Sequence, residues 1–508
     1  MYKASQSLRQ TFGFAAFPTL NYMPATASST AEPQAGFRAD SLAWGMSVML
    51  LMTIVQRGIG FGRGIWLCRA LDDRVLGQWA MAFGFITMVT PMLLLGLPGS
   101  LPRYVETYRQ QGHLRAFLRR ILWLTGALAC AAMALMLILP GPFGWLIFRA
   151  PTASSLIAAV GVSVLAIIAF NALNELVAAL RQVRVVSFMQ FMQSVGFTVI
   201  AVAVLTMGGG LLGLVYSFAA ACLLGTLPAW WVLSRNWQSV PLAAEPLNAA
   251  SMWRRVLPYA AALWVMNLLA NAFDLSDRYM ILHFSQSAEI GQSMVGQYHS
   301  ARIIPALLAS VAVMGAGVLL PYMTADWEAG KREAMSDRLR KILFAMSAIF
   351  TVGAAVGLVL APWMFETLLA GRYSGGLAVM PLAFALCIWA SLIAVAQNYL
   401  WVAERGKWVG WSLALGLAVN LGLNLWLLPR YGLHGAVVAT ALSHLVVLLG
   451  IWVGMRSTGY RWDSSLLWVT LLPATIISGP LAAVVCVLLV CGLSPQVRGW
   501  IREVGAPS

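Results

Sequence analysis

Charge is what this chain has least of. Asp, Glu, Lys and Arg make up only 10% of its 508 residues, against roughly a quarter in a soluble globular domain. A soluble fold of this length could not hydrate its surface with so few charges, and soluble enzymes and binding modules are thereby set aside. Acid is scarcer than base, with 18 Asp and Glu against 33 Lys and Arg. Catalytic signatures are missing too. No glycine-rich loop runs into Lys-Ser or Lys-Thr, which argues against nucleotide hydrolysis, and there is no HExxH, paired CxxC or serine elbow. Cys68, Cys130, Cys222, Cys387, Cys486 and Cys491 fall almost entirely in apolar runs and show no metal-ligand spacing. The chain is expected to have no catalytic residues, no metal and no cofactor.

What fills the sequence instead is apolar length. Thirteen hydrophobic stretches lie near 41–67, 76–98, 121–146, 153–177, 186–208, 211–233, 254–275, 291–323, 342–361, 376–400, 406–428, 433–455 and 466–492, each at least the twenty or so residues a helix needs to cross a bilayer, the longest with room for tilt or interfacial turns. With a cytoplasmic N-terminus, the basic residues gather on one side. There fall Lys3, Arg9, Arg38, Arg103, Arg109, Arg115, Arg119, Arg120, Arg181, Arg184, Arg235, Arg254 and Arg255, followed by Lys331, Arg332, Arg338, Arg340, Lys341, Arg405, Lys407, Arg456 and Arg461. That is 22 of 33, against eight on the other side, the bias of a chain threaded with its basic connections inside. The same bias accounts for the net charge of +15 without a nucleic-acid partner. Residues 1–40, with Pro18, Pro24 and Pro33, read as a flexible cytoplasmic tail. The expectation is a multi-pass membrane protein with its N-terminus in the cytoplasm.

The first two sets of six stretches look like copies of one unit. LCRALDDRVLGQWAMAFG is followed 214 positions later by ILHFSQSAEIGQSMVGQY, so that Leu76–Gly77–Gln78 matches Ile290–Gly291–Gln292. Each copy then passes a proline, Pro102 or Pro321, into a polar stretch that ends RRI or RKI. GGLLG at 209–213 and YGLHG at 431–435 open the sixth and twelfth helices. An even number of spans per copy makes the repeat parallel. The expectation is an all-α polytopic membrane protein with two parallel six-helix bundles, 41–235 and 254–455, joined by a linker at 236–253 around a central cavity. Residues 456–508 add a helix or hairpin, and the total is 12–14 spans, thirteen as counted.

Charges inside the spans mark the candidate site. Arg57, Arg63 and Arg302 lie in the first and eighth stretches, and an arginine near the hydrocarbon centre costs roughly 2.5–3.5 kcal/mol on insertion scales. Gln56 and Arg63 share a helix face, and Gly58, Gly60, Gly62 and Gly64 keep that helix narrow. Two readings follow: a basic cavity wall for an anionic group, or interfacial anchoring with local carbonyl partners. In the seventh stretch Asn267, Asn271, Asp274 and Arg278 recur every three or four residues, with Asp277 beside both charges. Asp274 and Arg278 either neutralise one another or belong to an ion- or proton-coupling site. His299 either lines the same cavity or packs by a hydrogen bond. Asn420 and Asn424 read as helix-to-helix hydrogen bonds. The excess of embedded base over acid favours an anionic cargo, since a phosphate or pyrophosphate gains charge-assisted bonds from guanidinium forks.

The segments GRGIWLCRALDDRVLGQWAMAFGF, GLPGSLPRYVETYRQQG, LSDRYMILHFSQSAEIGQSMVGQYHSARIIPALL and NLGLNLWLLPRYGLHGAVVATALSH resemble bacterial polysaccharide flippases of the Wzx type, within the multidrug/oligosaccharidyl-lipid/polysaccharide exporter superfamily. The resemblance covers about 41–455 and implies two six-helix bundles that move an undecaprenyl-pyrophosphate-linked oligosaccharide between leaflets. It also implies partnership with a glycan polymerase and other polysaccharide assembly proteins. Arg57, Arg63 and Asp277–Arg278 match positions where that family tends to carry charge, whereas twelve or fourteen spans are usual there. Arg57, Arg63 and Arg302 are then the candidates for binding the head group. Asp274, Asp277 and Arg278 are candidates for H+ or Na+ coupling and gating, and Gln56, Asn267, Asn271 and His299 are candidate cavity groups. A cation-coupled multidrug exporter and a peptidoglycan lipid-precursor flippase are the alternatives.

Overall fold

The computed structural model describes residues 42–237 and 247–505, with side chains from 51 to 500. The tail at 1–40 and residues 238–246 of the 236–253 connection lie outside the described residues. Every regular element among them is helical. Ten helices are long and apolar enough to cross a membrane, so the multi-pass all-α class is established. The expected thirteen spans are not all counted by that measure. One helix, α14 (Lys407–Ser457), runs 51 residues and carries non-helical backbone at Gly432, φ 54° and ψ −134°. Positive φ is open to glycine at little cost, and the kink falls where YGLHG predicts a turn.

The chain separates into two compact units. The first holds the described residues through Gly60 with Ala82–Ile147 and Pro151–Asn271. In it α8 (Gly210–Asn236) packs along α6 (Ser154–Ala179) and α7 (Val183–Thr206), and α6 also packs on α4 (Leu114–Ile138). A helix absent from the sequence expectation, α3 (Leu101–Gln110), sits in the polar connection after the second span. Its apolar residues Leu101, Tyr104, Val105 and Tyr108 follow the one-face spacing of a helix. They bury against Phe117 and Leu118 of α4 and Met252, Val256 and Ala260 of α9 (Ala249–Phe284). Tyr108 stacks on Phe117 with ring centroids 4.4 Å apart.

The second unit holds Phe61–Met81, Phe148–Ala150 and Ala272–Ser508. Its centre is α13 (Ser374–Val402), which packs on α14, α12 (Arg332–Thr367), α11 (Pro305–Glu328) and α10 (Ala288–Arg302). The stretch expected as one span over 291–323 is broken at Ile303 and Ile304, between α10 and α11. Pro305 has no N–H to donate back and its ring crowds the preceding turn. Arg302 is therefore a helix-ending residue rather than a mid-span one. The C-terminal window at 466–492 is divided as well. It comprises Ser464–Leu471, a 3-10 segment Leu472–Ser478 and Pro480–Leu493, separated by Gly479 at φ 116°.

Within this second unit α2 (Asp73–Leu94) crosses α10 with backbones in contact. A Cβ added to Gly77 would lie 1.7 Å from the Gln292 carbonyl oxygen, and one added to Gly296 would lie 1.9 Å from that of Asp73. Gln78 Nε2 donates to Gln292 Oε1 at 2.9 Å, and these are the positions the repeat aligns. Gln297 Nε2 donates to Asp73 Oδ2 at 3.1 Å, and Arg74 pairs with Glu289 at 2.8 Å. Gly77→Ala is expected to force the helices apart and cost about 1–3 kcal/mol, the range for overpacking a close contact. Gly126→Ala, at a position with nothing within 4 Å, is the control. Equal thermal unfolding midpoints for the two variants in detergent would rule out the crossing.

Candidate functional site

The sharpest polar arrangement in the protein centres on Asp277. Its residue is 1% exposed, and a carboxylate taken out of water needs donors on its oxygens. Three side chains supply them. Asn420 Nδ2 donates to Oδ1 at 2.7 Å, Asn424 Nδ2 donates to the same oxygen at 3.3 Å, and the Tyr298 hydroxyl donates to Oδ2 at 3.1 Å. Ser276 Oγ in turn donates to Asn420 Oδ1 at 2.9 Å, fixing which end of that amide faces the acid. Asn420 and Asn424 stand one turn apart on α14, Tyr298 is on α10 and Asp277 is on α9. The network therefore ties three helices of the second unit together.

One turn earlier on α9, Asp274 is differently placed. Its Oδ1 accepts from Arg302 Nη2 at 3.1 Å, the carboxylate side chain being 63% exposed and the arginine 23%. Arg302 Nη1 donates to the Tyr298 hydroxyl at 3.5 Å, and its guanidinium lies 5.4 Å from that ring's centroid. Tyr298 is thus shared, facing Asp277 with its proton and Arg302 with its oxygen and ring. Between the alternatives for Asp274, the ion pair that forms is with Arg302 of α10 rather than with Arg278 along the same helix. Arg278 and His299 remain within electrostatic reach of this group. His444 on α14 packs against Phe273 with ring centroids 4.8 Å apart.

The structure distributes the sequence candidates unequally. Arg302, Asp274, Asp277, Arg278 and His299 converge in the second unit. Arg63, half-buried, lies in that unit on α1 (Leu42–Ala70), whose next residue Gly64 would bring a Cβ to 3.7 Å from Ile303 at the α10–α11 break. Arg57 belongs to the first unit and is exposed. Gln56 donates to the Ser187 carbonyl at 3.4 Å, and Asn271 donates to the Asn267 carbonyl at 2.7 Å, both within the first unit. Those two amides are engaged by backbone carbonyls. Tyr298 and His444 were not singled out in the sequence; each is an uncharged-looking residue in an otherwise ordinary stretch.

Among the described residues the chain is all-α, with ten helices long and apolar enough to cross a membrane and a few charges gathered inside them. A family described as "Polysaccharide biosynthesis protein" matches residues 42–326, more than half of the chain, and this protein belongs to that family. It is 26% identical over 236 residues to the uncharacterized membrane protein YabM of Bacillus subtilis (strain 168), a match covering 46% of this chain and 43% of that protein. The chain therefore aligns with less than half the length of that relative. Among solved structures it is similar to the lipid II flippase MurJ in an inward closed conformation, with TM-score 0.65 and 12% identity over 90% of this chain and all of that one. It is also similar to an inward-facing multidrug resistance MATE family transporter of the MOP superfamily, with TM-score 0.59 and 13% identity over 85% and 99% of the two chains. A third is a MOP superfamily transporter from Pyrococcus furiosus Vc1, with TM-score 0.54 and 13% identity over 86% and 95%. The chain shares the fold of these structures.

The two acids should respond differently to removal. Asp277→Ala strands the amide and hydroxyl donors of a buried network and is expected to cost about 2–3 kcal/mol, the range for bonds to a charged group. Asp274→Ala removes a carboxylate that is 63% exposed and holds one guanidinium bond, and should cost less, about 1 kcal/mol. Thermal unfolding in detergent measures both, and a larger loss for Asp274→Ala would reverse the assignment of the structural acid.

Proposed function

We propose that the protein is a flippase for a glycan carried on a polyprenyl pyrophosphate, moving it from the cytoplasmic to the outer leaflet of the bacterial inner membrane. The observation that carries this reading is the Arg302–Asp274 pair, an embedded guanidinium whose partner carboxylate is 63% exposed. A pyrophosphate presents more charge and more acceptor oxygens than one carboxylate, and can compete for the guanidinium fork. Arg57 and Arg63 add base to the path of the head group, while the prenyl chain stays in lipid. Asp274, once displaced, is left beside Arg278 and becomes free to take a proton or Na+, which links cargo binding to coupling. Gln56, Asn267, Asn271 and His299 offer polar groups to the glycan. Shielding sugar hydroxyls is the energetic service, since an unsatisfied polar group in hydrocarbon costs several kcal/mol. Two parallel bundles that rock about a central cavity would alternate the opening, with the N-terminus on the cytoplasmic side.

Two cargoes share this head. The peptidoglycan lipid precursor has the better support, because the lipid II flippase aligns over 90% of this chain at TM-score 0.65, above the 0.59 of the multidrug transporter. An undecaprenyl-pyrophosphate-linked oligosaccharide for surface polysaccharide, handed on to a glycan polymerase, is the second reading, favoured by the description of the family. A cationic drug fits poorly with embedded arginines. Expression in cells depleted of their lipid II flippase separates the two: rescue of growth identifies the precursor, whereas loss of surface glycan on deletion without a cell-wall defect identifies the oligosaccharide. In either assay Arg302→Ala and Arg57→Ala are expected to lower translocation about tenfold or more at unchanged membrane level. Full output from both variants would remove the arginines from the head-group path.

A further inference from the structure

A second basic site lies in the first unit, lined by none of the residues assigned above. A cavity of about 300 Å³ opens between α3 and the first turns of α9, lined by Arg103, Tyr104, Thr107, Arg255, Pro258 and Tyr259. Its walls are built. Tyr104 and Tyr259 meet edge to face, centroids 6.0 Å apart, and the Tyr104 hydroxyl donates to the Arg255 carbonyl at 2.9 Å. The Arg103 guanidinium sits 4.6 Å over the Tyr259 ring and 5.5 Å from that of Tyr104, and Arg255 lies 6.0 Å from Tyr104. Stacking holds a guanidinium by its face and leaves its N–H donors pointing outward. Among the described residues neither arginine has a carboxylate partner; the nearby acid of α3, Glu106, faces Arg109 at 3.9 Å. Two cations are thus kept side by side without an anion to neutralise them.

Depth in the membrane narrows the ligand. Helix α9 has 36 residues, about 54 Å at 1.5 Å per residue, while the hydrocarbon core is about 30 Å thick. Its first turns, with Arg254 and Arg255, therefore project into the head-group layer. Trp237 and Trp253 pack on the same cluster as Tyr104, and tryptophan favours that layer. The cavity is at the small end for ligand sites, large enough for a phosphate with its ester carbons and too small for a nucleotide. We infer that the Arg103–Arg255 cavity binds the phosphate of an anionic phospholipid of the surrounding bilayer, with Thr107 at its rim.

The test uses the full chain in nanodiscs of mixed phosphatidylglycerol and phosphatidylcholine, with native mass spectrometry reading the lipid retained on release. Wild type should keep phosphatidylglycerol preferentially, and the Arg103→Gln/Arg255→Gln double variant should lose that preference about tenfold. Each single variant should move the same way, which preserves the test if the double variant is not recovered folded. Arg254→Gln/Arg119→Gln removes the same net charge from exposed positions outside the cavity and should retain the preference. Equal retention by wild type and the cavity variants overturns the site, as does equal loss in the control pair, which would mean diffuse surface charge. Displacement of the lipid by millimolar inorganic phosphate would assign the cavity to the free anion and overturn the lipid.

Discussion

A charge inside a membrane protein must be answered by the protein, because hydrocarbon offers it nothing. Asp277 is where that constraint acts most strongly. Its two oxygens are met by Asn420, Asn424 and Tyr298, so one acid fixes the mutual register of α9, α10 and α14. Apolar packing alone would discriminate poorly among rotations of these helices, since lipid tails are as apolar as leucine. An amide pair that must point at one carboxylate allows a single rotation of α14. The Arg302–Asp274 pair can then be loose without endangering the fold. The buried acid keeps the frame while the other is left 63% exposed, a separation of duties on which the proposed transport site would draw.

The first unit solves a different problem. Its connection after the second span is rich in arginine and would ordinarily run free in water. Helix α3 folds it back by turning Leu101, Tyr104, Val105 and Tyr108 into the cluster formed with α4 and α9. Burial of those side chains fixes Arg103 against Tyr259 and puts it beside Arg255. The positive side of the protein is therefore a shaped surface at that point, with two cations organised by aromatic faces. The distribution of base that sets orientation during insertion is reused there as a ligand-sized cavity.

Much of this was readable from residues alone, and the parts that were not share one cause. Hydropathy marks a span because each residue reports its own preference for lipid, and the long apolar helices fall on the marked stretches. Breaks are local too: Pro305 announces the end of α10 and Gly432 the bend of α14, although the first was read through as one long span. The helix α3 was hidden by its charged face, yet the spacing of Leu101, Tyr104, Val105 and Tyr108 carried the signal. Partnerships are another matter. Asp274 and Asp277 stand out as charges in an apolar run, but their partners lie 28, 21, 143 and 147 residues away. No local spacing points to Tyr298 in preference to Arg278, and tertiary packing alone makes that choice.

The glycine crossing bears on how such a fold can move. Gly77 and Gly296 let α2 and α10 touch backbone to backbone, and the side chains around them, Gln78 to Gln292 and Asp73 to Gln297, add directional bonds between a segment of the first repeat and one of the second. Such a contact has a short reach. Dispersion between touching backbones falls off within about an ångström of separation, and the amide bonds weaken steeply once their geometry is lost. A junction of this kind is either fully made or fully open, with little gained in between, and a bistable element is what a conformational change requires. Beside the backbones it is held by amides, by Asp73 with Gln297 as its donor and by the largely exposed Arg74–Glu289 pair, so opening the junction exposes groups that water can satisfy at once. Closing it needs no ion. On these grounds the energetic input to the proposed cycle is better sought at Asp274 and Arg302, where an exposed carboxylate faces an embedded guanidinium, than at the crossing, where the fit of two backbones dominates.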